Sequence, residues 1–184
     1  MENKLFNKVC DAAIGLGAYK ASVIPTSEIS LDKSFRDMCE SNACGVYGKC
    51  YMCPPDIGDI DVLINKVGQY DYALVYQTVS ELEDSYDFEG MIAAKTSTYP
   101  IAQKLRAVFD ELSVTKVLHL GAGGCGVCDK CAKADNLPCR FPELAMPSLE
   151  AYGINVSLLS KSAQMKYTNG PNTVTYFGAV LFTI

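Results

Sequence analysis

His119 is the only histidine among 184 residues. That excludes a metal site built from several imidazoles, and any catalytic scheme that needs more than one. No block of lysine and arginine occurs and the formal net charge is −5, so the chain does not read as a nucleic-acid binder. No apolar run is long enough to span a bilayer, and low-complexity tracts and internal repeats are missing. The opening Met-Glu-Asn-Lys-Leu-Phe lacks the pattern of a secretory leader. The expectation is a cytoplasmic protein with reduced thiols, without membrane or nucleic-acid partners.

Cysteine, by contrast, is abundant, at nine residues. Cys125, Cys128 and Cys131 form a C-x2-C-x2-C run, and Cys139 follows eight residues later. Ferredoxin-type loops use this spacing and take a fourth thiolate from further along the chain. Structural zinc more often takes two separated C-x2-4-C pairs, because three thiolates within seven residues crowd one small ion. A cubane cluster is wider and offers each thiolate its own iron. The spacing favours iron–sulfur, as one or two 4Fe–4S clusters, with zinc as the alternative.

A second group holds Cys39, Cys44, Cys50 and Cys53, with Pro54 directly after the last. Its spacing suits a four-thiolate site without choosing between zinc and iron–sulfur. It also allows Cys53 to reach the centre of Cys125, Cys128 and Cys131, as a fourth cysteine does in two-cluster ferredoxins. Clustered cytosolic thiols are read as ligands rather than disulfides. Cys10 stands apart, on one helix face with Leu5, Phe6, Val9 and Ala13, and is expected to be a small core hydrophobe.

Hydrophobic residues make up 49% of the chain, enough for one ordered domain over residues 1–184. Periodicity predicts helices over 3–17 and 60–67, the latter started by Asp59, a helical turn over 31–38, and helices over 88–98 and 143–152. Pro100 is expected to open a further helix. Strands are predicted at 21–25, 72–78, 115–120, 154–159 and 174–184, and a turn at 169–172. Alternation of strands and helices argues for an α/β or α+β layered domain: a mixed sheet, flanking helices and two cysteine-rich metal-binding loops at strand ends.

Gly121-Ala-Gly-Gly124 lies between a strand and the cysteine loop. A nucleotide fingerprint needs more than these four residues. The glycines are expected to bend the backbone so that amides reach cluster sulfurs, or to form a plain turn. His119 is expected in the core rather than on a metal. Arg140 can offset thiolate charge or form a surface ion pair. Glu150 can face the site or complement a helix dipole. Tyr47 and Tyr51 are expected to pack over the centre.

Several segments resemble one family: 44–55, 121–128, 138–143, 147–154 and 176–181. They are similar to the predicted metal-binding proteins of bacteria and archaea grouped as domain of unknown function 2284. The resemblance implies a cysteine-bound metal centre and names no reaction. The family usually has tryptophan where Tyr51 stands and a residue other than cysteine at Cys50. By that resemblance, Cys39, Cys44 and Cys53 take a partner from elsewhere or leave one metal position open. Three functions follow: an iron–sulfur electron carrier with a redox partner protein, an enzyme whose open metal position binds substrate, or a zinc-stapled structural domain.

Overall fold

The structure, a computed structural model, describes residues 2–184. Its elements are α1 (Glu2–Gly15), β1 (Lys20–Pro25), α2 (Phe35–Glu40), α3 (Ile60–Val67), β2 (Tyr72–Glu81), α4 (Phe88–Asp110), β3 (Lys116–Leu120), α5 (Val156–Ser162) and β4 (Thr173–Thr183). The strands form one sheet in the order β1-β2-β4-β3. All three ladders are antiparallel, so the fold is α+β. The mixed sheet expected from sequence is reduced to one isolated parallel bridge, Gly121 with Ser148.

Both faces of the sheet are covered, which explains why β2 and β4 read as continuous apolar runs rather than alternating ones. On one face Leu74, Tyr76, Val180 and Phe182 pack with Val9 and Ala13 of α1 and Ile101, Leu105 and Phe109 of α4. On the other, Ala73, Val75, Phe177, Ala179 and Leu181 meet Leu63 and Val67 of α3 and Leu159 of α5. Each buried valine, leucine, isoleucine or phenylalanine among them stabilises the fold by about 2 kcal/mol. Cys10 packs against the α1–α4 cluster, as expected.

Helix starts follow local chemistry. The Asp59 carboxylate accepts from the amides of Asp61 and Val62 at 2.8 and 3.3 Å, which fixes the start of α3 at the residue the sequence indicates. Asp87 caps α4 through Gly90 N–H at 2.8 Å. Pro100, expected to open a new helix, lies inside a continuous α4. The bond lost at its missing N–H costs about 3 kcal/mol. Buried Ala94, Thr98, Ile101 and Ala102 on both sides hold the helix through it.

Two other expectations fail, one to a local cap together with a distant bridge and the other to distant backbone pairing. The run 154–159 divides: Ile154 bridges to Leu31, and the Asn155 side chain accepts from Leu158 N–H at 3.1 Å to start α5. Within 143–152 only a 3-10 turn, Glu150–Tyr152, is helical. Here Gly121 N–H donates to Pro147 and Leu149 N–H to Gly121, at 2.9 and 3.0 Å, so the backbone is taken up by pairing. β3 pairs β4 only from Ala179 to Thr183. The chain leaves the sheet at Gly121, beside the half of β4 that β3 does not pair, and runs directly into the cysteine loop.

Candidate metal centre

Residues 121–149 carry almost no regular structure, and α4 supports them along one face. Tyr99 donates its hydroxyl to the Gly124 carbonyl at 3.3 Å, Gln103 Nε2 to Leu144 at 3.0 Å, and Arg106 Nη2 to Ala145 at 3.2 Å. With Lys95, these residues follow one another at spacings of four, four and three, so they share a stripe beside the core stripe. The sequence reading missed them. A polar stripe adjoining an apolar one was the available signal.

The glycines of the loop make room. A methyl group at Gly126 would overlap the Tyr99 ring, and one at Gly121 would meet Met146. Gly121, Gly123 and Gly126 do fall at G-x-G-x-x-G spacing after a strand. No α-helix opens behind them, so the helix N-terminus that would bind a pyrophosphate is missing. The amides that reach the Cys125 sulfur belong to Met146 and Val127 rather than to the glycines.

The second loop is fastened to the first. Lys133 pairs with Asp56 at 2.5 Å and lies 5.3 Å from the centre of the Tyr51 ring. The Tyr51 hydroxyl donates to the Leu137 carbonyl at 2.9 Å. Tyr51 thereby covers the cleft it was expected to shield. Arg140 also lines that cleft; it donates to the Lys130 carbonyl at 3.2 Å.

Eight of the nine cysteines collect in this region, in a division of five and three. Cys50, Cys125, Cys128, Cys131 and Cys139 line one narrow cleft with Tyr51, Phe141 and Ala145. Cys39, Cys44 and Cys53 line a neighbouring cavity of about 590 Å³, to which Cys125 also contributes. Cys50 and Cys53 are both buried. They stand between the two spaces with their sulfurs in hydrogen-bond contact. All nine cysteines are free thiols. Among the described residues no three His, Cys, Asp or Glu side chains converge on a single ion position.

The thiols do not titrate alike. The hydrogen bond from Cys53 draws Cys50 well below the usual thiol value, while the same bond and burial push Cys53 up. Burial raises Cys39, and it raises Cys125 against the opposing pull of the Met146 and Val127 amides. Glu150 lines the larger cavity, where burial raises its carboxyl. Tyr47 and Tyr167 line the same cavity.

His119 belongs to the core. It is 8% exposed and meets the Phe109 ring edge-on at 6.0 Å. Burial, helped by the nearby Arg106 charge, lowers its pKa to about 3, so the ring is neutral at neutral pH.

No helix among the described residues is long and apolar enough to cross a membrane. Neither a curated protein nor a solved structure matches the chain. A family match spans both cysteine loops and the sheet apart from its outermost ends, leaving Cys10 outside. It is to the family model described as "Predicted metal-binding protein (DUF2284)", over residues 22–182, and the chain belongs to that family.

Proposed function

We propose that this protein is an iron–sulfur redox protein of the cytoplasm. The observation that carries the reading is the lining of one narrow cleft by five thiols, with Cys125, Cys128 and Cys131 on a loop of ferredoxin spacing. Cys125, Cys128, Cys131 and Cys139 would hold a 4Fe–4S cluster, and Cys50 stands beside them as a fifth donor. The donor set fits the group: all sulfur, with backbone N–H groups on Cys125 that disperse thiolate charge. Such a cluster supplies one-electron transfer when bound. Tyr51, Phe141 and Ala145 complete the lining of the cleft. The net charge of −5 favours a partner protein with a basic docking surface.

A second reading has its own observation. Cys39, Cys44 and Cys53 are three donors facing a cavity of about 590 Å³. A metal centre held by these three keeps a position open to substrate, as catalytic sites do. The protein would then be an enzyme carrying a second cluster there.

Anaerobic purification with iron, sulfide and zinc analysis tests both. Absorbance near 400 nm that bleaches with dithionite, with about four irons per chain, is expected for one cluster, and about eight for two. Replacing Cys128 or Cys131 by serine should abolish the first centre. Cys44→Ser should remove only the second. Colourless protein with stoichiometric zinc would overturn the redox reading.

A further inference from the structure

We propose that the larger cavity binds a small carboxylate that also bears a hydroxyl or amino group, with Lys95 holding the carboxylate and Glu150 accepting from the donor.

The cavity's volume of about 590 Å³ falls within the range of small-molecule sites, roughly 300–1,000 Å³. Two opposite charges line it, Lys95 from α4 and Glu150 from the 3-10 turn. Three lysine–carboxylate pairs occur among the described residues, Lys33–Asp61, Lys130–Asp135 and Lys133–Asp56, and Lys95 belongs to none. Its ammonium is therefore within salt-bridge distance of no carboxylate, although its charge reaches Glu150 across the cavity wall. Room for it is built in: Gly123 has φ +67°, and a side chain there would begin 2.9 Å from Lys95 Nζ.

A second cavity, about 230 Å³, is also lined by Lys95, Gly123, Glu150 and Tyr167. Lys95 and Glu150 thus stand where two spaces meet, and a ligand held between them reaches either way. Tyr167, stacked on Phe177 with ring centroids 6.1 Å apart, forms an apolar wall at that junction.

The charges also select the ligand. Phosphate needs several convergent donors. No arginine lines either cavity among the described residues, and Glu150 would repel a dianion. A monocarboxylate satisfies the single ammonium, and a neighbouring hydroxyl or amino group gives Glu150 a donor. Neither residue supplies sulfur, so the subsite does not depend on the cluster reading.

Calorimetric titration at constant ionic strength tests it. Lactate, serine, acetate and inorganic phosphate would be added to wild type, Lys95→Gln, Lys95→Arg and Glu150→Gln, each metal-free and metal-loaded. Lactate or serine should bind at about 1 mM or tighter, at least about tenfold more weakly in Lys95→Gln and near wild type in Lys95→Arg. Acetate should bind more weakly than lactate, and Glu150→Gln should narrow that difference. Lactate should also protect Lys95 of the wild type from acetylation, read by mass spectrometry, which needs no variant. Silence from both lactate and serine, unchanged binding in Lys95→Gln, preference for phosphate or absence of protection would each overturn the proposal. Metal analysis of the same samples reports separately on the cluster.

Discussion

His119 has a buried Nδ1 without a hydrogen-bond partner, so protonating it in place would bury an unpaired charge. Its folded pKa of about 3 lies below the ordinary 6.5. A depressed histidine contributes its stability above the unfolded value and loses it as pH falls from 6.5 toward 3. At pH 4 the loss comes to about 3 kcal/mol. Urea unfolding of metal-free protein at pH 7 and pH 4 should show that loss in wild type. His119→Leu, which fills the space against Phe109 without a titrating group, should show a difference smaller by about that amount. Equal differences in the two proteins would place the charged ring in water.

Among the elements, α4 does the most. One stripe packs on the sheet and the next carries Lys95, Tyr99, Gln103 and Arg106 to the metal loop. The close approach of Gly126 to Tyr99 makes this a tight joint. Gly126→Ala should displace the loop and reduce bound metal several-fold, with an unfolding cost of about 1–3 kcal/mol from overpacking. Trimming the ring in Gly126→Ala/Tyr99→Leu should recover most of the metal. Equal metal content in wild type and the single variant would show that the loop shifts freely. The same elements show what could be read from sequence. Asp59 marks the start of α3 because capping is a contact between near neighbours, and the two strongest strands are legible because both faces are apolar. The helix expected at 143–152 gave way to a partner distant in sequence, Gly121, while the strand expected at 154–159 gave way to the distant Leu31 at Ile154 and to the Asn155 cap, a local signal that the apolar run overshadowed. The site was legible as eight cysteines in two groups. Its division into five and three was not, because Cys50 and Cys53 share one C-x2-C yet face different spaces.

At the scale of the whole molecule, the two hydrophobic clusters lie on the two faces of the sheet and include none of the eight clustered cysteines. Residues 41–59 and 121–149 have little regular structure, and metal ligation would constrain them. Removing metal under reducing conditions should leave the far-ultraviolet circular dichroism within about a tenth of its original amplitude. Limited trypsin cleavage should then concentrate at Lys49, Lys130, Lys133 and Arg140. Global loss of the helical signal on chelation would mean that the sheet and its helices cannot hold without the centre.

The wall between the two thiol-lined spaces is very thin, consisting of Cys50 and Cys53 in mutual contact with Cys125 exposed to both sides. A sulfur committed to one side is withdrawn from the other, and moving one changes the charge its neighbour feels. Were both sides to be filled, each would alter the affinity of the other, and by thermodynamic reciprocity the effect would be equal in both directions. If both spaces take up ligands, whatever occupies the larger chamber would report on the state of the smaller.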